Sequence, residues 1–310
     1  MPKEKPTSPT AAELLARYDK ACFKAAHEII NFYSTSFSMA TRLLRGQVKE
    51  DVRNLYAMVR IADEIVDGTA EGAGLSPAEI EKRLDDYEAA VLAAPAQRFH
   101  VDPVLHAWGY SARRCGFKEE HVRAFFASMR RDVDQTTYDQ ESFEDYVYGS
   151  AEVIGLMCLD AFLVSHPVGE EEYATLTHGA RSLGAAFQKV NFLRDLAEDS
   201  GLLGRTYFPE LREGNLTEST KDALIADIRV DLDAAYACVP LLPTDARLGV
   251  QAAADLFAEL TDRIDARAAS DVATRRVSVP PARKSYILAR AVKRAAFSPH
   301  NTSDSSGARS

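Results

Sequence analysis

The chain has 310 residues, 46% hydrophobic and 27% charged, the balance of an ordinary globular protein long enough to bury a core around an internal cavity. Its net charge of −9 argues against nucleic acid, whose phosphates demand a basic surface, and implies that an anionic ligand would be met through metal ions. No uninterrupted apolar run approaches the roughly 20 residues of a membrane span, and Cys22, Cys115, Cys158 and Cys238 show no zinc spacing, so a cytoplasmic protein with reduced thiols is expected.

The opening MPKEKPTSPT lacks an apolar signal core and reads as a disordered lead over residues 1–10. Apolar residues then recur at spacings of three and four with almost no strand-like alternation. They predict helices over residues 10–32, 36–45, 48–69, 77–94, 101–115, 118–133, 141–165, 170–200, 219–238, 244–269 and 281–297. Gly68, Gly72, Gly74, Gly116, Gly201, Gly204, Pro209, Pro240 and Pro243 punctuate these segments. Ser76, Pro77 and Glu79 form a capping box with proline at the first helical position. The reading is an all-α single domain over residues 11–297, followed by a polar, disordered tail over residues 298–310.

Two helices carry polar stripes beside their packing faces. Tyr56, Arg60, Asp63 and Asp67 fall within an arc of about 60°, next to an apolar stripe of Leu55, Val59, Ala62 and Val66. A solvated face with an internal Arg60–Asp63 or Arg60–Glu64 ion pair would explain this stripe by itself. Gln188, Asn191, Asp195 and Asp199 share an arc of roughly 80°, beside Leu183, Ala186, Val190, Leu193 and Ala197. Asn and Asp are poor interior helix residues, and carboxylates on successive turns repel, so two such helices point to a bound cation. Carboxylates and an amide oxygen, with no Glu-x-x-His pair and no clustered imidazole, suit Mg²⁺ or Mn²⁺. Mg²⁺ completes its shell with water and substrate phosphate, so facing aspartate pairs would hold a diphosphate through metal.

With Ser34-Thr35-Ser36-Phe37-Ser38, the run from Asp63 to Asp67, Met129 to Asp132 followed by Tyr138, Tyr146 to Met157, Gln188 to Asp199, and Gly204 to Pro209 in this order, the chain resembles the squalene and phytoene synthases from about Tyr33 to Arg283. The resemblance implies a helical isoprenoid-synthase fold around a central cavity. It implies that Asp63, Asp67, Asp195 and Asp199, supported by Asn191, bind two prenyl diphosphates through Mg²⁺. Arg60, Arg194 and Arg205 would contact diphosphate oxygens, with Ser34 and Gln188 also at the substrate. Tyr56, Phe37, Tyr138, Tyr146 and Tyr148 would line the path of a carbocation, which aromatic faces stabilise without trapping. Two departures stand out: Glu152 follows Ala151 where relatives often carry glycine, and residues 200–204 lack a second arginine. Arg283 and Lys284 are either a further basic contact or an exposed cap.

The implied reaction is head-to-head condensation of two geranylgeranyl diphosphates to phytoene, as in carotenoid biosynthesis, with no NADPH. Small Ala40 and Thr41 favour C20 over C15 substrate. Squalene or dehydrosqualene synthesis from farnesyl diphosphate is the alternative, and a class I terpene cyclase or a non-enzymatic scaffold stands further off. An insoluble C40 product makes transient membrane contact an expectation. The sequence sets no oligomeric state.

Overall fold

The computed structural model describes residues 8–198, 206–211 and 215–297. Chain order runs α1 (Ala11–Tyr33), α2 (Thr35–Thr41), α3 (Gly46–Val66), α4 (Thr69–Gly72), α5 (Pro77–Ala93), α6 (Pro103–Cys115), α7 (Glu119–Asp134) and α8 (Gln140–Val147). It continues through α9 (Val153–Leu163), α10 (Glu170–Glu198), α11 (Glu218–Cys238), α12 (Thr244–Asp265), α13 (Ala269–Val272) and α14 (Pro281–Phe297). Among the described residues there is no strand, only an isolated parallel bridge between Thr137 and Thr206.

Local chemistry sets the boundaries. Thr10 caps α1 in a capping box with Glu13, so the expected disordered lead stops short of it; residues 1–7 and the expected tail at 298–310 lie outside the described residues. Ser76 and Glu79 form the box expected at α5. α3 ends one turn earlier than expected, because Asp67 leaves helical geometry and Gly68 turns with φ 94°, a left-handed conformation that glycine adopts without a Cβ clash.

Side-chain burial divides the interior into neighbouring apolar clusters. One gathers α1, α3, α5, α6 and α7 around Trp108, whose indole N–H donates to Val91 O at 2.9 Å. Another joins α8, α10 and α11 through Val190, Leu193, Ile228 and Tyr207. Smaller clusters sit where α9 meets α3 and α10 and where α2 meets α12. α10 packs along α11 on one side and α9 on the other.

The segment expected as one helix over residues 141–165 is helical as far as Leu163 but has a wider π turn over Tyr148–Glu152, between α8 and α9. Such turns are rare and concentrate at functional sites. The whole span Gln140–Leu163 is long and apolar enough to cross a membrane, with a mean hydropathy of 1.3 in its most apolar window, which corrects the expectation drawn from uninterrupted runs. Half of that window is buried in the fold, against α7 and α10, as befits a central core helix.

Glycine permits these helices to touch. A Cβ on Gly155 would lie 2.3 Å from Ala180 O, and one on Gly184 would lie 2.5 Å from Ala151 O. Both contacts are to backbone, which cannot swing aside. Gly184→Ala is therefore expected to destabilise the protein by about 1–3 kcal/mol. Gly72→Ala, where nothing lies within 4 Å, should be neutral or slightly stabilising. Denaturant melts of the two variants beside the parent check the contrast.

Candidate active site

A cavity of about 790 Å³ runs into the fold between α2, α3, the α8–α9 helix, α10 and α12. Its lining changes character along each wall. On α3 it passes from Val52 and Leu55 to Tyr56, Arg60, Asp63 and Asp67; on α10 it passes from Leu176 and Ala180 to Gln188, Asn191, Arg194 and Asp195. The C-terminal ends of both helices therefore bring their polar stripes to one mouth, with apolar depth behind them.

The sequence-derived residues Ser34, Phe37, Tyr56, Arg60, Asp63, Asp67, Gln188, Asn191, Arg194 and Asp195 all line this cavity, as do Ala40 and Thr41. Asp199 and Arg205 lie outside the described residues. Tyr138 does not reach the cavity. It is fully buried behind the wall, stacked on Tyr207 at 5.4 Å and edge-on to Tyr146 at 5.1 Å. Tyr148 also faces elsewhere, under the guanidinium of Arg181. Glu152 accepts a hydrogen bond from Arg181 Nε at 2.6 Å, away from the cavity. Arg283 turns outward to Glu259, whereas Lys284 lines the cavity.

Several cations and carboxylates at the mouth pair with one another. Arg60 pairs with Glu64, approaches Asp63 at 3.7 Å, and lies over the Tyr33 ring at 4.3 Å from its centre. Asp195 accepts from Arg194 Nε at 2.9 Å and from Arg276 Nε at 2.9 Å. Arg276 had no periodic signal in the sequence: it stands outside the regular helices, and only the tertiary fold carries it to the second acidic helix. Asp132 was visible as an acidic position but had no assigned role. It is 6% exposed, lines the cavity, and accepts the Tyr146 hydroxyl at 2.8 and 2.9 Å on its two oxygens. Tyr207 O–H points at the same carboxylate at 3.4 Å.

Burial, and then the neighbouring Asp67, push the Asp63 carboxyl well above its ordinary range, against the partial relief given by Arg60. Burial pushes the Tyr56 phenol up to about 12, so it stays protonated at neutral pH with its ring stacked 5.4 Å from Phe37. The Tyr146 phenol is raised as well, by burial and then by Asp132. Burial lowers the Lys284 ammonium, with Arg194 adding to the effect.

This donor set fits a hard divalent ion. Asn191 Oδ1 is buried without a hydrogen-bond partner, on the same stripe as Asp195 and facing the same cavity as Asp63 and Asp67. Oxygen donors without imidazole or thiolate suit Mg²⁺. Among the described residues no three carboxyl, imidazole or thiol groups converge into a complete metal cage.

The raised Asp63 carboxyl has a consequence for stability. In the unfolded chain it ionises in the ordinary carboxylate range, so folding carries a penalty above that range that grows until the folded group is itself ionised. Asp63→Asn should therefore melt higher than the parent at neutral pH in chelator, with the gain disappearing at pH below the ordinary carboxylate value. Thermal melts across pH in EDTA check it; an equal gain at every pH would contradict the assignment.

The model of the family described as squalene/phytoene synthase matches residues 30–283. A chloroplastic phytoene synthase 3 from Zea mays is 27% identical over 94% of this chain and 70% of its own length. A presqualene diphosphate synthase from Rhodopseudomonas palustris is 30% identical over 70% of this chain and 72% of its own. The crystal structure of a dehydrosqualene synthase in complex with a ligand superposes with a TM-score of 0.73, covering 91% of this chain and 99% of that one at 21% identity, which speaks to the fold.

Proposed function

The chain belongs to the squalene and phytoene synthase family, whose members are prenyl transferases, and on that premise we propose that it condenses two geranylgeranyl diphosphates head-to-head to phytoene. The observation that carries the reading is a cavity whose mouth gathers Asp63, Asp67, Asn191 and Asp195 and whose depth is apolar. Its 790 Å³ lies toward the upper end of small-molecule pockets, as two long hydrocarbon chains require.

Loss of diphosphate from the first donor gives an allylic cation. The second donor's double bond attacks it, and proton loss leaves a cyclopropylcarbinyl diphosphate. A second ionisation, rearrangement and proton loss give the linear hydrocarbon with a central double bond, so no nicotinamide is called for. Mg²⁺, when bound by Asp63, Asp67, Asn191, Asp195 and Asp199, supplies charge stabilisation to the leaving diphosphate. Arg60, Arg194, Arg276 and Lys284 face the same mouth and suit direct contact with phosphate oxygens. Phe37 and Tyr56 offer ring faces to the cation beneath. Asp132 holds the Tyr146 hydroxyl and keeps that ring oriented at the wall.

Small Ala40 and Thr41 on the lining support the C20 donor. The C15 donor is the second reading, favoured by the likeness to a presqualene diphosphate synthase. The C40 product is almost insoluble in water, so the proposal includes release from the cytoplasm through transient contact with a membrane.

Purified protein with Mg²⁺ and C20 diphosphate, without NADPH, is expected to yield a C40 hydrocarbon by mass. Asp63→Ala and Asp195→Ala should each reduce the yield by about 100-fold or more, the scale of losing a main electrostatic contact to the transition state. A C30 product only, from C15 donor, would move the assignment to the second reading. No hydrocarbon from either donor would overturn it.

A further inference from the structure

The stripe that α10 lends to the cavity extends from Asp195 back to Leu176 along unbroken helix. At 1.5 Å per residue this wall is about 28 Å long. In order from the mouth it presents Asn191, Gln188, Gly184, Leu183, Ala180 and Leu176. Leu176 is 1% exposed and closes the deep end together with Leu159, Phe162 and Leu242.

A prenyl chain can be laid against this wall as against a ruler. Each five-carbon unit adds four chain bonds, about 5 Å when extended. With about 5 Å allowed for the diphosphate head, a C15 tail ends some 20 Å below Asp195, between Leu183 and Ala180. A C20 tail ends some 25 Å down, past Ala180 and short of Leu176. The fourth unit would thus occupy the compartment between Leu183 and Leu176.

Ala180 is the small residue in that compartment, and its backbone has no room to retreat. Its carbonyl is packed so close to Gly155 that even a Cβ there would approach within 2.3 Å. The neighbouring Gly179 is pressed on Cys238, where a Cβ would meet Sγ at 2.5 Å. A larger side chain at position 180 must therefore grow into the cavity. Resting on the prenyl-diphosphate reading above, we propose that Ala180 sets the length of chain the enzyme accepts, with Leu176 as the floor beneath the fourth five-carbon unit.

The test is binding of unreactive C15 and C20 prenyl thiolodiphosphates to the full chain with Mg²⁺, by calorimetry. The parent should bind both, and C20 at least as tightly. Ala180→Phe should weaken C20 binding by about 10-fold or more while leaving C15 within about 3-fold, since only the last unit loses its burial. Ala180→Leu, a smaller change, provides the same comparison if the phenylalanine variant does not fold. An unchanged C20-to-C15 ratio in a folded variant, with both analogues still bound, would overturn the role of Ala180 and leave the reaction assignment standing. Failure of the parent to bind either analogue would sink the prenyl-diphosphate reading itself, and this inference with it.

Discussion

Carboxylates that face one another across a cavity with an apolar floor cannot all stay charged unless cations stand among them. That constraint organises the mouth. Burial and Asp67 together drive the Asp63 carboxyl upward, and Arg60 relieves only part of the strain. Asp195 is answered by two guanidinium groups, one from its own helix and one from the segment leading to α14. Asn191 keeps a buried oxygen with nothing to accept. Together these groups leave the mouth receptive to further positive charge.

The apolar depth matters as much as the charged rim. Wherever water is kept out, each charge interaction at the mouth strengthens, and the aromatic faces below are left as the best available neighbours for a cation. α3 and α10 serve both purposes because their cavity-facing residues are apolar in the depth and polar toward the C-terminal ends. Glycines at the α9–α10 crossing bring the backbones together, so the walls are stiff where the hydrocarbon would lie.

Most of this was legible in the sequence because helical periodicity is local. The arcs at Tyr56–Asp67 and Gln188–Asp195 named residues that do share one cavity, and the stripes beside them did become packing faces, with Leu55, Ala62, Val190 and Leu193 buried. What escaped was non-local. Arg276 reaches Asp195 only through the tertiary course of the chain, and Asp132 acquires its meaning from Tyr146 and Tyr207 on other segments. Tyr138 was placed on the wrong side of the wall because aromatic character cannot distinguish a residue that lines a cavity from one that packs behind it. The membrane-length apolarity of Gln140–Leu163 was missed for a simpler reason: scattered polar residues interrupt a window that is hydrophobic on average.

The π turn at Tyr148–Glu152 acts as a phase correction. From Tyr146 to Phe162, a regular helix would let the cavity-facing stripe drift by about 160°, carrying one end of it round toward the neighbouring helices. One residue taken up in a wider turn subtracts about 100° of that drift. Tyr146 at the top and Ile154, Cys158 and Phe162 below can then look into the same space. The irregularity is thus part of how one helix keeps a single stripe turned toward the cavity along its length. Straightening this turn with every residue kept would swing the aromatic and aliphatic halves of the wall out of register, whereas excising one residue would smooth the helix and leave the two halves aligned.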